Sequence, residues 1–139
     1  MAQSRIWHHD LKAWQESVRF LETLGRWLSS HPEIDDSVRR SMMVTATEAT
    51  EHLAHSTNFR DDHESVHLWR ITLQNLQACE AWLYLALGLT GGAETEWEAI
   101  RNQLLTVFRL TAGLIAYKHR KQREAGVKPP GANPTPART

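Results

Sequence analysis

The residues whose types and spacing could do chemistry gather at two places in this 139-residue chain. The first is a cluster of imidazoles and carboxylates. Glu64-Ser65-Val66-His67 is a Glu-x-x-His pair, and His63 with His67 forms an i, i+4 couple on one helical face. Glu48, Glu51, His52 and His55 stand at helical spacing just upstream. Inward-facing groups of this kind hold transition metals in helical bundles, so His52, His55, His63, Glu64 and His67 form the candidate metal set. A di-iron site needs a second Glu-x-x-His and two further carboxylates at matched depth. The other acid in a buried pattern, Glu80, lies several turns farther along the same helix. Solvated histidines at loop ends are therefore the simpler reading, and no cofactor is expected.

The second place is the basic run Lys118, Arg120, Lys121 and Arg123, followed by a proline-rich tail. Cations beside an extended segment suit phosphate contact, and Arg5 and Arg60 are lesser candidates for the same role. Nucleophilic catalysis has less support. Cys79 sits in an apolar pattern with no base placed beside it, which reads as packing. Gly91-Gly92 lacks the lysine and preceding strand of a phosphate loop. No enzyme is expected. Glu51 and Glu80 read as structural polar residues that must be paired if they point inward. Arg39, Arg40, Arg70 and Arg109 are the candidate partners.

Four helices are needed to position these groups. Leu11, Trp14, Val18, Leu21, Gly25 and Leu28 form a heptad stripe, widened by Phe20, Leu24 and Trp27, which predicts a helix from about Asp10 to Ser30. His31-Pro32 should end it, because the residue before proline avoids helical geometry. Asp35 or Asp36 caps the next helix, which carries Val38, Met42, Ala46, Ala49 and Leu53. The third helix spans about Glu64 to Leu89, with one line of Val66, Trp69, Leu73, Leu76, Leu83 and Leu87. A second line of Leu68, Thr72, Asn75, Cys79, Trp82 and Ala86 runs beside it. Thr90-Gly91-Gly92 stops this helix. The fourth presents Trp97, Ile100, Leu104, Val107, Thr111 and Leu114, plus a second seam of Leu105, Phe108, Ala112 and Ile115.

The fold class is therefore all-α, an antiparallel up-down-up-down four-helix bundle over residues 1–124, with a disordered proline-rich tail over 125–139. Two seams on each of the last two helices exceed what one copy buries, so a homo-oligomer is expected. The antiparallel order gathers seven of the eight histidines at one end: His8, His9, His52, His55, His63, His67 and His119. The basic run falls at that end, while Glu33, Asp35, Asp36, Glu94, Glu96 and Glu98 collect at the other. Lys plus Arg and Asp plus Glu each number 16, so any attraction to a polyanion must come from this distribution. The single cysteine excludes an internal disulfide and suits a reducing compartment. No apolar run reaches the roughly 20 residues that span a bilayer, so no membrane partner is expected and the cytoplasm is the expected location.

Three stretches resemble a known family, in order and at the right helix spacing. Asp10-Leu11-Lys12-Ala13-Trp14-Gln15 resembles the opening of the four-helix-bundle proteins encoded in 23S ribosomal RNA intervening sequences. Val38-Arg39-Arg40 with Glu51 looks like that family's second helix, and Arg70 through Leu76 followed by Glu80 looks like its third. The family includes the accessory variability determinants of diversity-generating retroelements. The resemblance implies a barrel-like homopentamer, and for the retroelement members it implies binding of RNA or DNA and of a reverse transcriptase. Where the family's second helix has an Asn-Ile-Ala-Glu-Gly-like run, this chain reads Glu48-Ala49-Thr50-Glu51-His52. Accessory determinants also tend to be strongly basic, whereas this chain is neutral.

Overall fold

A computed structural model describes residues 11–58, 61–90 and 94–126. These form four α-helices joined in order: α1 (Lys12–Ser30), α2 (Asp36–His55), α3 (Asp62–Thr90) and α4 (Glu94–Glu124), with a short 3₁₀ turn at Ser56–Asn58. Each helix packs against its neighbours in sequence, and α1 closes the square against α4. This is the arrangement expected of an antiparallel four-helix bundle. Among the described residues there is no strand, and no helix is long and apolar enough to cross a membrane.

The breaks follow the local chemistry. His31 closes α1 with φ −127° and ψ 68°, the non-helical geometry required before Pro32. Asp35 caps α2 by accepting from the Ser37 N–H at 3.2 Å and from the Ser37 hydroxyl. Asp61 does the same for α3, its Oδ1 lying 2.9 Å from the His63 nitrogen. At the far end of α4, Gly126 takes φ +76°. Its N–H bonds the Arg123 carbonyl at 3.0 Å, a glycine stop in left-handed geometry. The glycine pair Gly91-Gly92 and residues 127–139 of the expected tail lie outside the described residues.

Val38, Met42, Ala46, Ala49 and Leu53 are all buried, so the second helix faces inward as its pattern predicts. The first helix is rotated relative to expectation. Its buried face is Ala13, Ser17, Phe20, Leu24, Trp27 and Leu28, whereas Leu11, Trp14, Val18, Leu21 and Gly25 of the heptad stripe are half-buried on the flank. The cause is the corner position of α1 between α2 and α4, with the bulkiest part of its wide apolar face aimed between the two. Ser17 is accommodated because its hydroxyl bonds that of Thr50 on α2.

On α3 the two predicted lines merge into one buried face: Val66, Trp69, Thr72, Leu76, Cys79, Leu83 and Ala86. Leu68, Leu73, Trp82 and Leu87 flank it, half-buried. On α4, Ile100, Leu104, Val107 and Thr111 are buried, and the second seam of Leu105, Phe108, Ala112 and Ile115 is half-buried. Burying a side chain such as Leu76, Leu83 or Leu104 stabilises the fold by roughly 1.5–3 kcal/mol each. Apolar groups also remain in solvent: Val44 is 47% exposed on α2, and Leu85 and Leu89 on α3 are 47% and 57% exposed.

Candidate anion-binding end

The antiparallel order brings the end of α2, the start of α3 and the end of α4 together, and side-chain contacts fix the register. Lys118 Nζ lies 2.8 Å from Asp62 Oδ1, and Arg70 Nη2 lies 3.4 Å from His119 Nε2. Lower down the same helix pair, Arg101 Nε approaches Glu80 Oε2 at 3.6 Å, and the rings of Tyr84 and Trp97 meet edge-on at 4.8 Å.

The four basic residues expected to contact phosphate have different surroundings. Lys118 is half-buried and held by Asp62, so its charge is largely spent inside the fold. Arg120 and Lys121 sit over the exposed ring of Tyr117, at 5.6 and 5.7 Å from its centroid. Arg123 is exposed one turn beyond His119. Among the described residues none of Arg120, Lys121, Arg123 and Arg70 has a carboxylate within 4.0 Å. Arg5 and Arg60 lie outside the described residues, as do His8 and His9.

The charge polarity is weaker than the tally of basic groups suggests. The start of α3 contributes Asp61, Asp62 and Glu64 to the same end, because a helix N-terminus favours acids where a helix C-terminus favours bases. What survives is a local surplus on the flank between α3 and α4. There the His119 imidazole is held below its ordinary value of 6.5, by burial first and then by the guanidinium charges of Arg70 and Arg123.

The histidine and glutamate cluster does not assemble. His52 bonds Asn75 Oδ1 through Nδ1 at 2.8 Å, and Asn75 in turn donates to Glu48 at 3.2 Å, tying α2 to α3. His55, His63, Glu64 and His67 are exposed. Among the described residues no three His, Cys, Asp or Glu side chains come together as a metal would need. Helical spacing aligns these groups along each helix, but the exposed faces of α2 and α3 do not converge.

The structural polar residues also need correction. Glu51 and Arg40 are exposed rather than inward. Glu80 is partly buried, and its partner is Arg101, not Arg39, Arg40, Arg70 or Arg109. Arg39 instead donates to the Leu28 carbonyl at 2.6 Å and the His31 carbonyl at 2.9 Å, satisfying acceptors left open where α1 ends. Cys79 is buried, with its thiol 3.7 Å from the Met42 carbonyl. Burial pushes its pKa up to about 11, so little thiolate exists near neutrality.

At the opposite end, His31 stands between two carboxylates, Nδ1 at 2.8 Å from Glu33 and Nε2 at 3.3 Å from Glu96 on α4. Its ring lies 5.0 Å from that of Trp27. Hydrogen bonds to Glu33 and Glu96 raise its pKa above 6.5, outweighing burial. Neither the Arg70–His119 contact nor the His31 clasp emerges from sequence reasoning. The sequence carries a signal only for pairs roughly equidistant from the break between α3 and α4, such as Glu80 with Arg101 and Asp62 with Lys118. Arg70 with His119 and His31 with Glu96 are not such pairs.

No protein-family model matches the chain, and no curated protein or solved structure matches it either.

Proposed function

We propose that this protein is a non-enzymatic, homo-oligomeric four-helix bundle that binds nucleic acid through the end where α4 finishes, in the cytoplasm. The observation that carries the reading is the set of cations at that end, Arg70, Arg120, Lys121 and Arg123, which have no carboxylate partner among the described residues. An uncompensated guanidinium gains most from a phosphate, whose oxygens match its forked donors. The resemblance to the intervening-sequence proteins points the same way. It suggests RNA or an RNA–reverse transcriptase complex as partner, with the chain as an accessory subunit.

Oligomerisation is supported by apolar surface that one copy leaves uncovered. The second seam of α4 (Leu105, Phe108, Ala112, Ile115) is half-buried, and Val44, Tyr84, Leu85 and Leu89 are about half exposed. Exposed apolar side chains of this kind fit an association surface, and the family resemblance suggests five copies. Light scattering should therefore give a mass well above 15.9 kDa, and a monomeric mass would remove this part of the reading.

The binding test is retention of a single-stranded RNA across a salt series. Replacing Arg70, Arg120, Lys121 and Arg123 with alanine should weaken retention and flatten its salt dependence by about 0.7 of a unit of log–log slope for each phosphate of the single strand no longer neutralised. Equal retention by the variant and the parent at low salt would refute the reading.

A further inference from the structure

Arg70, His119 and Arg123 form a group of their own, separate from the Tyr117 side of α4. Arg70 is exposed on the flank of α3 that faces α4, and Arg123 follows His119 by four residues, on the same helical face. His119 is half-buried between them. A guanidinium has donors and no acceptor. The 3.4 Å contact from Arg70 Nη2 therefore requires His119 Nε2 to accept, which fixes a neutral ring with its proton on Nδ1. Two positive charges and one imidazole thus share a small flank, with no carboxylate within 4.0 Å among the described residues.

We propose that these three side chains are the seat for one backbone phosphate of a nucleic-acid strand, and that filling the seat is coupled to protonation of His119. The proposal rests on the nucleic-acid reading above and specifies its chemistry. A phosphate placed between the guanidiniums cancels the field that opposes a charge on the ring. It also offers an acceptor to Nε2, so that nitrogen changes from acceptor of Arg70 to donor toward the phosphate. One proton enters His119 as the anion arrives, and Arg70 exchanges the ring nitrogen for a phosphate oxygen. The effect reverses the two electrostatic causes that hold the imidazole down and leaves burial in place.

Glu124 on α4 and Glu64 on α3 are exposed acids at this end, neither within 4.0 Å of Arg70 or Arg123. Lys118 and Asp62 satisfy each other at 2.8 Å, and Arg120 and Lys121 lie over Tyr117. On α1, Arg19 pairs with Glu16 at 3.0 Å. His55, His63 and His67 stand exposed at the same end, so the coupling is read on His119 itself.

The experiment titrates the full chain with a single-stranded RNA oligonucleotide between about pH 6 and 8, following the His119 ring by NMR with and without saturating RNA. With the proton coupled, affinity rises by up to about tenfold per pH unit as pH falls, and the His119 titration moves upward when RNA is bound. His119→Gln, which keeps a polar group of similar length but cannot take up a proton, should lose most of the increase in affinity toward pH 6. Arg70→Ala should weaken binding throughout and raise the His119 titration in the free protein. An unmoved His119 under saturating RNA, or an undiminished pH response in His119→Gln, overturns the proposal while leaving the nucleic-acid reading intact. Absence of any RNA binding at low salt overturns both.

Discussion

Each end of this bundle holds one histidine among charged groups, and the two are tuned in opposite directions. His31 has a carboxylate at each ring nitrogen, one from the α1–α2 connection and one from α4, so the protonated ring is the form that satisfies both. His119 has a guanidinium in contact and a second one turn away, so the neutral ring is the form that fits. The cations follow the same division. At the His31 end Arg39 is bonded to two backbone carbonyls and belongs to the fold. At the His119 end Arg70 and Arg123 have no carboxylate partner among the described residues. A charge satisfied inside the fold contributes to stability, and one left uncompensated is available to a ligand.

The largest test of that contrast is a pair of arginine substitutions. Arg39→Ala leaves the Leu28 and His31 carbonyls short of a charged donor, and hydrogen bonds to charged groups contribute about 1.5–3 kcal/mol. Urea denaturation should show a loss of that order. Arg70→Ala should change stability by no more than about 0.5 kcal/mol, because no carboxylate is left unpaired and a repulsion is relieved. Equal losses from the two would break the comparison.

A smaller effect separates the ends by pH. His31 has a raised folded value, so its contribution is complete below 6.5 and is lost as pH rises through that raised value. Glu33 is lowered, first by a backbone hydrogen bond and then by His31, so its part is present above 4.5 and lost as pH falls through the lowered value. His31→Gln should therefore cost most in the mildly acidic window between these limits and converge with the parent at alkaline pH. The size should stay below about 1 kcal/mol, since the clasp is partly exposed to solvent. His119 has the opposite sign. Its folded value is lowered, so stability is lost as pH falls below 6.5, and His119→Gln should be relatively more stable than the parent in acid. Chemical denaturation at a series of pH values checks both.

Much of the architecture is legible in the sequence because helix spacing, caps and stops act locally. Asp35, Asp61 and His31-Pro32 each bound a helix through groups within a few residues. The apolar lines name the buried residues of α2 almost without error, since a narrow stripe leaves one orientation. The wide stripe of α1 leaves its rotation open, and the corner between α2 and α4 decides it in favour of Phe20, Leu24 and Trp27. Pairings between helices are the least legible, because they depend on axial register. Residue type alone offers Glu80 the wrong arginines, although its distance from the break between α3 and α4 is close to that of Arg101. The charge of the α4 end is overstated for a related reason. Counting bases at one helix terminus without the acids of the adjacent terminus leaves out groups such as Asp62.

The smallest expected effect, and the sharpest on cause, is the response of the two histidines to salt. Added salt screens interactions between charges near the surface and leaves short hydrogen bonds and burial nearly unchanged. For His31 the leading causes are the hydrogen bonds to Glu33 and Glu96, with the charges of those residues ranking below burial, so its titration should fall slightly. For His119 burial ranks first and the guanidinium fields of Arg70 and Arg123 follow, so its titration should rise part of the way toward 6.5 and stop short. NMR titration of both rings at low and high salt would show them drawing together without meeting. If His119 did not move, burial alone would hold it down. Arg70 and Arg123 would then exert no field for a phosphate to cancel, and the contrast between the ends would reduce to one of solvent access.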